Sequence, residues 1–187
     1  ASVIGCMAAI GINRRAQPGS GALATFFLSP LVLPTIIYAI GMLMLWSAIF
    51  GTVSVVTLWI GHTVVTTPYV VRTTLAVLSE ADPFLEEAAQ TMGANRIRRL
   101  WLVVLPQCLP GLAAGAFFAF NISFDEAVLS LFLRRPGLTT LPVQIYGQLE
   151  FSPDPSVAAV STIMIGLTVL LILVIDRVLG LQRFSNA

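Results

Sequence analysis

No lysine occurs in this chain of 187 residues; all ten basic residues are arginines. A phosphate-binding GxxxxGK(S/T) loop is therefore excluded, because the lysine that reaches the phosphates is missing. Charge of either sign is scarce: acidic and basic residues make up 10% of the chain, where a soluble domain carries about a quarter. Their near cancellation, at +1, leaves no basic surface for nucleic acid. One histidine, His62, and two distant cysteines, Cys6 and Cys108, supply neither a metal ligand set nor a disulfide framework.

What fills the chain instead is apolar: 57% hydrophobic residues, with a mean hydropathy of +0.90. Crossing a bilayer core of about 30 Å takes about 20 helical residues. Residues 31–50 and 53–71 reach that length and are separated by Gly51-Thr52, a tight hairpin turn. Residues 155–179 form the longest run, with Asp154 as N-cap, Pro155 at the first helical position, and Asp176-Arg177 near the far end. Residues 101–124 carry Pro106 and Pro110, where a kink or a fresh helix start is expected. The expectation is an all-α, polytopic integral membrane protein with a single transmembrane domain over residues 1–187. Residues 1–13 read as a partial helix, too short to span and N-terminally incomplete. A signal peptide fits poorly, because no basic region precedes the apolar run and Arg14-Arg15 follow it.

Arginine placement orients these segments. One side collects Arg14, Arg15, Arg72, Arg96, Arg98, Arg99, Arg177 and Arg183, and the other only Arg134 and Arg135. The positive-inside rule makes the first side cytoplasmic. Residues 79–100 and the C-terminus then face the cytoplasm, and residues 125–154 lie outside.

The cytoplasmic segment has its own punctuation. Asp82-Pro83 is a helix start, Gly93 a helix stop, and Asn95 a cap for a second helix that begins at Arg96. At about 100° per residue, Phe84, Leu85, Ala88, Ala89 and Met92 share one side, with Glu86, Glu87, Gln90 and Thr91 on the other. The arginines of the second helix crowd its N-terminal turn against the helix dipole, so lipid phosphates or an acidic partner surface are expected to account for them. By pattern alone, a loop of amphipathic helices resting on the membrane fits as well as a docking element.

The spacing Glu87-Ala88-Ala89, three residues, Gly93, nine residues, Val103, one residue, Leu105-Pro106 resembles the cytoplasmic EAA loop of ABC-importer permease subunits. Further segments resemble the spermidine/putrescine-type permeases: Gly61-His62-Thr63, Thr67 to Arg72, Phe120 to Glu126, Leu129 to Leu133, and Thr140 to Val143. The resemblance implies a MetI-like transmembrane domain that forms part of a solute pathway in a bacterial inner membrane and performs no catalysis. It implies two copies of an ATPase subunit that bind ATP and Mg, a related second permease, and a periplasmic or lipoprotein binding protein. Membrane lipid surrounds the assembly. It assigns ATPase coupling to Glu87, Ala88, Ala89, Gly93, Arg96, Leu105 and Pro106, and names a polyamine as cargo. Iron, an aminophosphonate or an opine is the alternative within the family.

Three residues stand apart as pathway candidates. His62, deep in an apolar run, either gates the pathway or touches substrate, or bonds as a neutral ring to a neighbouring helix. Asp125 and Glu126, at the outer end of their helix, either receive a cationic solute or pair with Arg134 or Arg135. Gly111, Gly115 and Ala119, four residues apart, make one helix face small enough for close packing. An ATPase-independent secondary transporter is the competing class, but no internal duplication around a midplane site is visible.

Overall fold

A computed structural model describes residues 1–13, 19–151 and 155–179. The readings placed on Arg14, Arg15, Asp154, Arg183 and the Asp176 side chain lie outside the described residues. Among those described, the regular structure is helical: α1 (Ser2–Asn13), α2 (Ser20–Leu28) running into a 3-10 turn (Ser29–Leu31), α3 (Thr35–Phe50), α4 (Val55–Glu80), α5 (Phe84–Thr91), α6 (Arg96–Arg99), a π turn (Leu100–Val104), α7 (Leu105–Asp125), α8 (Ala127–Leu133), α9 (Leu141–Phe151) and α10 (Ser156–Leu179).

The elements differ from the sequence expectation in instructive places. The run 31–50 begins as a helix only at Thr35, because Pro34, extended at φ −57° and ψ 130°, precedes it. Gly51 ends α3 in the left-handed region at φ 76°. Ser54 and Thr57 then bond reciprocally at the start of α4, the Ser54 N–H to Thr57 Oγ1 at 3.0 Å and the Thr57 N–H to Ser54 Oγ at 3.4 Å. Helix α4 passes through Pro68 and on to Glu80, beyond the expected end at Val71. Proline removes one rung of the ladder, and hydroxyls beside it back-bond to the turn before, Thr67 Oγ1 donating to the Thr63 carbonyl at 2.6 Å. Pro106 and Pro110 do not interrupt the fourth run either; helix continues from Arg96 to Asp125. A proline ring strikes the carbonyl four residues back, and the wider turn at Leu100–Val104, closed by the Leu105 N–H on the Leu100 carbonyl, gives that carbonyl room ahead of Pro106.

Two helices among the described residues are long and apolar enough to cross a membrane, Arg96–Asp125 and Ser156–Val174. Ser20–Leu31 and Thr35–Phe50 pass the same test only when taken together, a pattern that fits a broken span or a re-entrant loop. Helix α4 has the length but is not among them, since its threonines, Arg72 and Glu80 dilute its hydropathy.

The chain divides into two compact units. The first comprises Ala1–Leu33 and Thr63–Phe120, and its core joins Cys6, Ala9, Leu78, Val104 and Cys108. Small residues set its helix spacing. A Cβ on Gly5 would sit 2.6 Å from Val70 Cβ, one on Gly111 2.7 Å from the Thr73 carbonyl oxygen, and one on Gly115 2.7 Å from Val70 Cα. The Gly111, Gly115, Ala119 face is thus a packing face, buried on α7.

The second unit comprises Pro34–His62 and Asn121–Ala187. Helix α8 packs on α3 and α9, and α9 on α10. Leu129, Ser130 and Leu133 of α8 are fully buried, and Gly61 lets α8 approach α4, a Cβ there falling 2.9 Å from Leu133 Cδ1.

Candidate functional site

The segment from Asp82 to Pro106 is built from local bonds. Asp82 Oδ1 accepts the Phe84 N–H at 2.9 Å, opening α5. At the other end, the Ala94 N–H bonds the Ala89 carbonyl and the Gly93 N–H bonds the Gln90 carbonyl, both at 3.0 Å. These two bonds, with Gly93 at φ 82°, form a Schellman stop. Two residues on, Asn95 Oδ1 accepts the Arg98 N–H at 2.8 Å and caps α6.

The two faces of α5 have unequal fates. Arg99 reaches back to bond Gln90, and its Nε lies 3.8 Å from Glu86 Oε1. The polar residues Glu86 and Gln90 are thereby turned toward α6, and Ala89 is buried. The apolar side is left outward: Phe84 is 70% exposed, Leu85 52% and Met92 82%. Glu87, Ala88 and Gly93 are exposed beside them, as are Arg96 and Pro106, whereas Leu105 is half-buried. The helix is amphipathic as the sequence implies, but only Ala89 of its apolar side is buried; Glu86 is half-buried, and Glu87, Gln90 and Thr91 are exposed.

At the other end of α7, the carboxylate pair divides between two elements. Asp125 closes α7 and is exposed. Glu126 is the N-cap of α8, its side chain accepting the Leu129 N–H at 2.9 Å. Among the described residues, no ion pair joins either to Arg134 or Arg135. Asp125 borders two cavities of the second unit. One, of about 470 Å³, is lined by Asn121, Phe124, Glu126, Met164 and Thr168 among others. The other, of about 350 Å³, is lined by Pro142, Tyr146, Ser161 and Met164 among others. A mostly apolar recess with a carboxylate at its rim suits a cation carrying hydrocarbon.

His62 lies half-buried in the second unit, with Nδ1 2.9 Å from Ser123 Oγ and Nε2 3.1 Å from Ser130 Oγ. Neither serine was given a role by the sequence reading, although Ser123 lies in the segment Phe120 to Glu126 and Ser130 in Leu129 to Leu133, both of which carry the family resemblance. No group of three metal-ligating side chains occurs among the described residues.

Residues 1–183 match the family described as "Binding-protein-dependent transport system inner membrane component". The putrescine transport system permease protein PotI of Escherichia coli K12 is 30% identical over 173 residues, a match covering 89% of this chain and 62% of PotI. The spermidine/putrescine transport system permease protein PotC of Haemophilus influenzae is 29% identical over 172 residues, covering 92% of this chain and 67% of PotC. Among solved structures, a chain of the MetNI methionine ABC transporter in inward facing conformations has the same fold, with a TM-score of 0.75 at 24% identity, over 95% of this chain and 85% of that one.

Proposed function

The chain belongs to the family of binding-protein-dependent transport system inner membrane components, and from that premise we propose that it is the permease subunit of an ABC importer, coupled through α5 to a separate ATPase. The outward face of α5 carries this reading: Phe84, Leu85, Glu87, Ala88 and Met92 are exposed together on a helix fixed at both ends. Alanine at 88 keeps the helix narrow enough for a cleft, and Glu87 offers a carboxylate to a cation at its rim. Gly93, Arg96, Leu105 and Pro106 set the path from α5 into the long helix. Because Arg96–Asp125 is one helix, a displacement of α5 by ATP-driven closure of two ATPases passes along it to the outer carboxylates.

The absence of the lysine that a P-loop needs supports binding of ATP and Mg by a separate ATPase. A related second permease and an external binding protein complete the importer. The arginine distribution supports a cytoplasmic coupling loop and C-terminus in a bacterial inner membrane. The cargo is a polyamine, putrescine or spermidine, as in the names of PotI and PotC, with Asp125 and Glu126 meeting its ammonium groups beside the two cavities.

Purification of the full-length protein from its own host tests the assignment. An ABC ATPase is expected to co-purify, and Glu87→Lys is expected to release it while the permease stays in the membrane. Putrescine uptake without any bound ATPase would favour a secondary transporter. For the cargo, Asp125→Asn is expected to lower putrescine uptake with assembly intact; unchanged uptake would remove Asp125 from the pathway.

A further inference from the structure

The break between α7 and α8 carries a bridge that neither docking nor charge complementarity requires. Ser123 and Ser130 flank the Asp125-Glu126 pair on its two sides, and one imidazole, that of His62, touches both hydroxyls, at 2.9 Å through Nδ1 and at 3.1 Å through Nε2. The polarity of the bridge follows from proton counting. Ser130 donates its hydroxyl to the Glu126 carbonyl at 2.8 Å. A hydroxyl has one proton to give, so Ser130 accepts from Nε2–H, and the Nδ1 lone pair of the neutral ring takes the proton of Ser123. The bonds then run in one direction, from Ser123 through His62 and Ser130 to the Glu126 backbone, an arrangement in which each bond polarises the next.

The backbone needs such help here. Glu126 leaves the helical region, at φ −73° and ψ 93°, and the N–H groups of the first turn of α8 have no partner within the helix. The Glu126 carboxylate serves one of them, the Leu129 N–H, and the Ser130 hydroxyl, held by His62, adds a second bond at the Glu126 carbonyl, which as that of an N-cap residue already opens the helix.

We propose that His62 is a positioning residue that clamps both flanks of this break, so that Asp125 and Glu126 keep the direction in which they meet a cationic solute. The inference rests on the reading of those carboxylates as part of the solute pathway. It differs from an ordinary structural histidine in one respect: its effect on transport must pass through the carboxylates.

The test uses full-length protein reconstituted with its partners, in otherwise unaltered protein and in an Asp125→Asn background, with radiolabelled putrescine uptake normalised to permease in the membrane. Putrescine-stimulated ATP hydrolysis is the second readout. His62→Asn retains an acceptor near the Nδ1 position and His62→Gln a donor near the Nε2 position, so each keeps one of the two bonds. Each is expected to lose roughly 5-fold, the size of one net hydrogen bond, and His62→Ala roughly 25-fold. Ser123→Ala is expected to erase the advantage of Asn over Ala, and Ser130→Ala that of Gln over Ala. In the Asp125→Asn background, the loss from His62→Ala is expected to shrink to under about 2-fold. Asn and Gln variants no better than Ala, or an undiminished His62→Ala loss on top of an impaired Asp125→Asn, would overturn the clamp. Normal transport by Asp125→Asn would instead overturn the pathway reading beneath it.

Discussion

The loop from Asp82 to Pro106, proposed to couple to an ATPase, and the helix break at Asp125-Glu126 are both polar interruptions of an apolar chain, and they are secured differently. In the loop, side chains close their bonds over two, three and nine residues: Asp82 with Phe84, Asn95 with Arg98, Arg99 with Gln90. At the break, His62 reaches across 61 and 68 residues to Ser123 and Ser130. A segment held from within keeps its shape when it is pushed, which suits an element that receives a mechanical input. A break held by a remote helix changes when that helix changes, which suits an element that must respond. The loop is thus closed by local bonds, whereas the break adds to its local bonds, Glu126 with Leu129 and Ser130 with Glu126, a pair that reaches across the chain.

Substitutions that separate local from long-range support test this contrast. The largest loss is expected from Gly115→Val, because a Cβ already falls 2.7 Å from Val70 Cα and branching adds to the overlap. Overpacking of this kind costs about 3 kcal/mol, to be read as lost thermal stability of the purified protein, with the isolated loop sequence untouched. Gly93→Val comes next: φ of 82° is unfavourable for a β-branched residue, at about 2 kcal/mol. Open space around Gly93 means that nothing clashes, so its loss should appear as local opening of residues 84–99 in hydrogen exchange, with the membrane helices unchanged. Asn95→Ala removes the cap on α6 and costs about 1 kcal/mol in the same local exchange. Glu86→Gln is the smallest, about 0.5 kcal/mol or less, since a 3.8 Å pair on a partly exposed side chain gains little in water. Equal global destabilisation by all four would erase the distinction between the regions.

What could be read from the sequence follows the same division. The start, stop and cap of the loop were legible because Asp82-Pro83, Gly93 and Asn95 act on neighbours within a turn. The turn at Gly51-Thr52 was legible for the same reason, though not the left-handed conformation in which Gly51 ends α3. The apolar face of α5 was legible as a face, but that Phe84, Leu85 and Met92 stay exposed while Ala89 is buried was not, because it depends on how α5 meets its neighbours, Arg99 bonding Gln90 and lying near Glu86. Helix α2 was missed because Ser20–Leu28 is short and Gly-rich at its start. Pro106 passes within a helix behind the wide turn at Leu100–Val104 and Pro68 lies inside α4, whereas Pro34 does mark a helix start. The ring of His62 was legible as a ring bonded to a neighbouring helix; which serines it holds, and that they bracket Asp125-Glu126, depends on how α4, α7 and α8 come together.

Coupled ATP hydrolysis is the measurement closest to the central claim. In proteoliposomes containing the full-length permease, its ATPase, the second permease and the binding protein, putrescine-loaded binding protein is expected to stimulate hydrolysis. Glu87→Lys and Gly93→Asp, each inserted in the membrane at normal abundance, are expected to abolish that stimulation. Undiminished stimulation in both variants would contradict the assignment of α5 as the element that transmits ATP-driven motion to this chain.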